Sequence, residues 1–169
     1  MLIFLDTEFT ALDWEKELLS LGMVSEDGQH HIYLEVREYE EKDCSDFTLE
    51  VVLKHFGKSP DAQCDYSDFG ARLRSWFATL PGDHVIACDS DVDAWFLRLV
   101  LQGRFPTNVR PAVSAVGREF DGDEWELSLA SYFQSHPHRS RHHALHDAWA
   151  LRWAYHRLIL GRAPEVDHD

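Results

Sequence analysis

Cysteine is scarce. Three occur in 169 residues, at Cys44, Cys64 and Cys88, and no CxxC or Cys/His finger spacing links them. That excludes a disulfide scaffold and a cysteine-built metal finger, and reduced thiols in a reducing compartment are expected. No apolar run approaches the roughly 20 residues that a membrane helix needs. Positive charge is also short: 16 Lys and Arg stand against 30 Asp and Glu, a net charge of −14 with His neutral. A field of that sign repels polyanions, and phosphate contacts dominate nucleic-acid affinity, so broad coating of long DNA or RNA is disfavoured. Repeats, low-complexity tracts and linkers are all missing. One domain over residues 1–163 is expected, with a short acidic tail at 164–169. Met1 to Asp6 has no basic stretch, and Asp6 interrupts the apolar run. An ordinary secretory signal is therefore not expected, and a cytoplasmic location is.

What is present is a hydrophobic fraction of 44 % and an aromatic fraction of 12 %, enough for a packed core. Leu2-Ile3-Phe4-Leu5 reads as a strand buried on both faces, ending at Asp6-Thr7-Glu8-Phe9. Leu18 to Val24 reads as a second strand and His31 to Val36 as its return, across an Asp27-Gly28 hairpin signal. Phe47, Leu49, Val52, Leu53 and Phe56 suggest a short helix. Phe69, Leu73, Trp76, Phe77 and Leu80 form a clearer stripe that Pro81-Gly82 ends. His84 to Cys88 is another buried strand. A helix follows, with Trp95, Phe96, Leu99 and Val100 inward. A strand near 112–116 and a helix carrying Trp125, Leu127, Leu129, Tyr132 and Phe133 come next. The last helix has Ala144, Ala148, Leu151, Ala154, Tyr155 and Leu158 on one stripe. An early hairpin followed by helices alternating with strands predicts an α/β fold with a mixed sheet.

Acids sit where such a fold keeps its sites. Asp6 and Glu8 are two apart, so a strand points both carboxylates to one side. They repel each other unless a cation lies between them; the bland alternative is a solvated strand end. Asp147 falls in the core-facing stripe of the last helix, which is costly without a partner or a metal. Its bland alternative is an ion pair with Arg141. Asp89, Asp91 and Asp93 stand at a strand-to-helix junction, where aspartates also cap helices. His142 with His146, or His143 with Asp147, lie at i,i+4 and also permit a zinc reading.

Taken in order, these motifs resemble those of the DEDDh, or DnaQ-like, 3′–5′ exonucleases. Asp6-Thr7-Glu8-Phe9 resembles the first, Asp93-Ala94-Trp95-Phe96-Leu97 the second, and His142-His143-Ala144-Leu145-His146-Asp147-Ala148 the third, with the His five before the Asp. The short chain and its Asp-Thr-Glu-Phe start are similar to the small bacterial and phage exoribonuclease branch. One departure stands out: Asp89 occupies the place, four before the second-motif Asp, that usually holds Asn or His. The register among Asp89, Asp91 and Asp93 is open, and Asp93 is preferred for its Phe96-Leu97 context.

The resemblance implies a ribonuclease H-like fold and 3′–5′ release of nucleoside 5′-monophosphates. It implies two Mg²⁺ or Mn²⁺ ions about 3.5–4 Å apart, held by Asp6, Glu8, Asp93 and Asp147. Asp6 would bridge them, Glu8 and Asp147 would hold the ion carrying the attacking water, and Asp93 would support the other. His142 would be the general base. Thr7 and Phe9 are candidate substrate contacts, Phe9 by base stacking or else as an ordinary core residue; Trp14 is a weaker one. Arg139 and Arg141 would meet the scissile phosphate or only balance Asp147. Single-stranded 3′ ends and short oligonucleotides are the expected partners, RNA ahead of DNA, with a homodimer also expected. The alternatives are a single-strand DNA exonuclease and an inactive ribonuclease H-like binding module.

Overall fold

The computed structural model of the protein describes residues 1–12, 15–118 and 120–161; Trp14 and the acidic tail lie outside them. β1 (Leu2–Phe9), β2 (Leu18–Ser25) and β3 (His31–Val36) form an antiparallel meander. The turn over 26–29 uses Gly28 at φ +72°, and Ser25 Oγ bonds Asp27 at 2.6 Å, as the Asp-Gly signal implies. A short β4 (Gln63–Cys64) adds parallel to β3, and β5 (His84–Cys88) and β6 (Val109–Ala115) add parallel to β1 on the other side. The sheet order is β4-β3-β2-β1-β5-β6, a mixed sheet with β1 at its centre. Among the described residues, no helix is long and apolar enough to cross a membrane.

Two helical layers cover the sheet because β1 alternates. Ile3 and Leu5 pack with Phe69, Leu73 and Phe77 of α1 (Tyr66–Thr79) and with Phe96, Leu97 and Val100 of α2 (Asp91–Val100). Phe4 packs on the opposite face with Trp125, Leu129 and Tyr132 of α3 (Gly122–Ser135) and with Ala148, Trp149 and Leu151 of α4 (Ala144–Ala154). Period-two alternation with both faces covered is what the continuous apolar runs of β1 and β2 require.

Several expectations need correction. Trp95 and Leu99 are 40 % and 45 % exposed. The buried stripe of α2 is Asp93, Ala94, Phe96, Leu97 and Val100, and Lys16 lies over the Trp95 ring instead. Leu127 is exposed on α3. The short helix near residue 50 is a π-helical turn at Thr48–Val52 followed by a 3₁₀ turn at Leu53–His55. It buries Thr48 and Val52 and leaves Phe47 and Leu49 outside. The last helix also ends in a π-helical turn, Tyr155–Ile159, before Gly161 at φ +62°.

Candidate active site

β1 sets the geometry. It pairs with β2 as far as Phe9 but with β5 only at Leu2, Ile3 and Phe4. Its second half therefore borders a cleft on the β5 side, and the acids stand at that opening. Asp6 and Glu8 share the face of Phe4, toward α4, whereas Thr7 shares the face of Ile3 and Leu5, toward α2.

Gly22 seats α4. It lies opposite Asp6 in the β1–β2 ladder, and the backbone of Ala144 and Leu145 occupies the space that a Cβ would need. A side chain at 22 would hold the first turn of α4 off the sheet. The close seat brings Asp147 over Asp6 and Glu8, and one carboxylate oxygen of each of the three lies within 4.8 Å of the others. Asp147 Oδ2 accepts from the His143 amide at 3.0 Å, so the helix start holds one oxygen in place.

Asp93 arrives from the other layer. Ser90 caps α2 by accepting from the Val92 amide at 3.1 Å. Asp93 is 3 % exposed, and its Oδ1 accepts from the Thr7 hydroxyl at 2.6 Å and the Thr7 amide at 3.1 Å. The Thr7 hydroxyl, read from sequence as a substrate contact, is thus bonded to Asp93. Of the three junction aspartates, Asp91 turns out to solvent and pairs with Arg118. Asp89 lines the same pocket as Asp93, and the Trp125 indole donates to it at 3.3 Å.

These groups line one pocket of about 540 Å³, with Asp6, Glu8, Asp89, Asp93, Asp147 and His142 on its polar side and Phe9, Leu12 and Phe47 on its apolar side. Phe9 fits both sequence readings: it stacks on Phe96 at 5.6 Å and also faces the pocket. Arg141 reaches the pocket while bonding Glu126 at 2.8 Å. Arg139 instead lies over the Trp149 ring at 4.9 Å.

The histidines divide. His142 has φ +61°, a left-handed conformation that turns it away from its neighbours and into the acidic pocket. His143 and His146 stack at 3.9 Å and line a separate pocket of about 400 Å³ with His31 and Tyr33. Burial, with each other's charge or nearby cations, pushes them down to about 3 and about 4. The paired-histidine zinc reading therefore lacks a shared pocket for His142 and His146. Among the described residues, Asp6, Glu8 and Asp147 are the group of three or more side chains able to hold a metal.

Among the described residues, six carboxylates line the acidic pocket against the one guanidinium of Arg141. Burial first, then the neighbouring carboxylates, holds Asp6 well above the usual carboxylate range. The same causes push Glu8 up to about 8. Burial pushes Asp93 and Asp147 up to about 7, against the pull of Thr7 on the first and of backbone amides and Arg141 on the second. Among the described residues, no Lys or Arg is bonded to any of these four. A partly buried set of oxygen donors that repel one another fits a hard divalent cation. The thiols offer no competing nucleophile: burial pushes Cys88 up to about 12 and raises Cys44 and Cys64.

No protein-family profile and no curated protein sequence matches the chain. Among solved structures it is similar to the exonuclease domain of Mopeia virus, solved in complex with alendronate. The TM-score is 0.55 at 14 % identity, over 98 % of this chain and 80 % of that one. At that identity the likeness is one of fold. The chain has an α/β ribonuclease H-like fold, a mixed sheet flanked by helices, as expected from sequence.

Proposed function

We propose that the protein is a metal-dependent 3′–5′ exonuclease, acting on single-stranded 3′ ends and short oligonucleotides, RNA ahead of DNA. The observation that carries the reading is the convergence of Asp6, Glu8 and Asp147 on one point from β1 and α4, with Asp93 and His142 lining the same pocket. The fold shared with a viral exonuclease domain supports it, as does the order of the three motifs.

Asp6, Glu8, Asp93 and Asp147 would hold two Mg²⁺ or Mn²⁺ ions, which when bound supply Lewis-acid stabilisation and offset the site's negative charge. The chain's own residues do the rest. His142 takes a proton from the attacking water as its oxygen bonds the terminal phosphorus. The bond from that phosphorus to the preceding 3′ oxygen breaks, and the 3′ oxygen gains a proton from solvent. The products are a nucleoside 5′-monophosphate and a chain one residue shorter. Phe9 and Leu12 offer apolar surface on which terminal bases stack, an affinity that a net charge of −14 does not oppose. Thr7 holds Asp93 in place. Burial, then Arg141 and His55, lowers His142 below the usual histidine range, which keeps the imidazole free to accept a proton near neutral pH.

The test is mononucleotide release from matched short RNA and DNA oligomers of one sequence, with Mn²⁺ or with EDTA. Release that requires metal and is lost in Asp6→Asn supports the reading. No release from either polymer overturns it in favour of a binding module, and faster release from DNA overturns the RNA preference. A homodimer that lengthens the substrate groove belongs to the same reading, and a monomeric mass by light scattering overturns that part.

A further inference from the structure

A histidine acting as general base needs its ring oriented, and another side chain or backbone group usually does this through a hydrogen bond to the second ring nitrogen. Among the described residues His142 has no such partner. Neither of its ring nitrogens is hydrogen-bonded among them, and its ring contact is the Phe47 ring, perpendicular to it with centroids 4.9 Å apart. Phe47 is 52 % exposed, so folding gains little by placing a phenylalanine there.

The segment that carries Phe47 is nevertheless pinned at several points. The Ser45 amide donates to the Thr10 carbonyl at 2.8 Å. The buried Thr48 hydroxyl donates to the same carbonyl at 2.9 Å and lies 3.3 Å from the Phe9 carbonyl. Ser45 Oγ accepts from the Thr48 amide at 3.1 Å. These bonds tie the segment to the end of β1, directly after the Asp6–Glu8 pair. A few residues on, the His55 ring lies 6.0 Å from the ring of His143, the residue after His142. The same segment thus touches both the acid-bearing strand and the histidine loop, and Phe47 stands between them facing the pocket.

We infer that Phe47 is a positioning residue, whose ring, perpendicular to the His142 imidazole, holds it over the Asp6–Glu8–Asp147 cluster. The inference rests on the nuclease reading of that cluster. It differs from a base-stacking role for Phe47, in which the ring would hold substrate and leave His142 unaffected. The two roles separate kinetically, because an interaction made only in the transition state moves kcat, whereas uniform substrate binding moves KM.

The experiment compares Phe47→Ala and Phe47→Tyr with the parent on a short oligomer, and records the imidazole proton resonances of His142 in the metal-free, substrate-free protein. Phe47→Ala is expected to lower kcat by about tenfold or more, as small misplacements of catalytic groups do, with KM changed by less than about twofold. The His142 resonances are expected to lose the shift that the adjacent ring imposes. Phe47→Tyr keeps the aromatic ring and is expected to restore both. A raised KM with kcat unchanged overturns the proposal in favour of a base platform. His142 resonances that do not move in Phe47→Ala overturn it whatever the kinetics. A parent that releases no mononucleotide, with the resonance change intact, overturns the nuclease reading and the catalytic consequence of the contact, but not the positioning itself.

Discussion

Replacing Glu8 by glutamine should stabilise the metal-free protein, and do so far more at alkaline than at acidic pH. The folded pocket pushes Glu8 from an ordinary 4.5 up to about 8. An unfolded chain ionises this group above about pH 4.5, while the folded chain keeps its proton to about pH 8. Between those values the folded state binds more protons, so stability falls as pH rises. The stability lost is absent below the unfolded value and complete above the folded one. Each tenfold change in proton affinity is worth about 1.4 kcal/mol, so the full displacement caps at about 5 kcal/mol. Asp6 and Asp147 share the remaining protons and the cleft admits water, which brings the expected penalty to about 2 kcal/mol. For a chain of this length that is about 4–8 °C in Tm. Melting scans in EDTA should therefore find Glu8→Gln within about 0.5 kcal/mol of the parent near pH 5. Near pH 8 it should be more stable by the amount above. Asp61→Asn, outside the pocket, controls for general charge repulsion. Saturating Mg²⁺ should reverse the order, since a ligand at about a hundred times its Kd stabilises the native state by about 2.7 kcal/mol. A gap between variant and parent that does not widen from acid to alkali would refute the clustering of these carboxylates.

Gly22→Ala places a methyl group against the backbone of Ala144 and Leu145, which cannot give as a side-chain end would. It should cost about 1–3 kcal/mol or more and weaken the metal-induced rise in Tm, because Asp147 moves with α4. Thr7→Val removes the hydroxyl bond to buried Asp93. It should cost about 1.5–3 kcal/mol above the Asp93 titration, near pH 7 and higher, and Thr7→Ser should recover most of it on the same melts. His142→Ala should keep the metal-induced shift and lower turnover about 10²–10⁴-fold. His143→Ala and His146→Ala, which face the other pocket, should cost far less turnover. Equal losses in the three, or loss of the metal response in His142→Ala, would contradict the general-base role.

Much of this molecule is legible along the chain. Continuous apolar runs mark β1 and β2 because both faces of a central strand are covered, and the Asp27-Gly28 turn marks their neighbour β3. Local periodicity likewise puts Asp6 and Glu8 on one side of a strand and Asp147 on the buried face of a helix, and the order of the motifs suggested that they meet. Periodicity says which residues share a face; it does not say what that face meets. The tertiary structure decided that Asp91 turns to Arg118 while Asp93 turns to Thr7, since α2 docks with Asp93, Phe96 and Val100 inward and Trp95 and Leu99 outward. It decided that His142 and His146, one helical turn apart in sequence, face different pockets, because His142 has a left-handed backbone and precedes the helix. It also gave Phe47 a neighbour. Nothing in the local pattern at 45–52 ties that ring to a histidine ninety-five residues later, and only the threonine and serine bonds to the end of β1 bring them together. Asp147 meets Asp6 across a still longer stretch of chain because Gly22, opposite Asp6 in the ladder, leaves room for the backbone of α4.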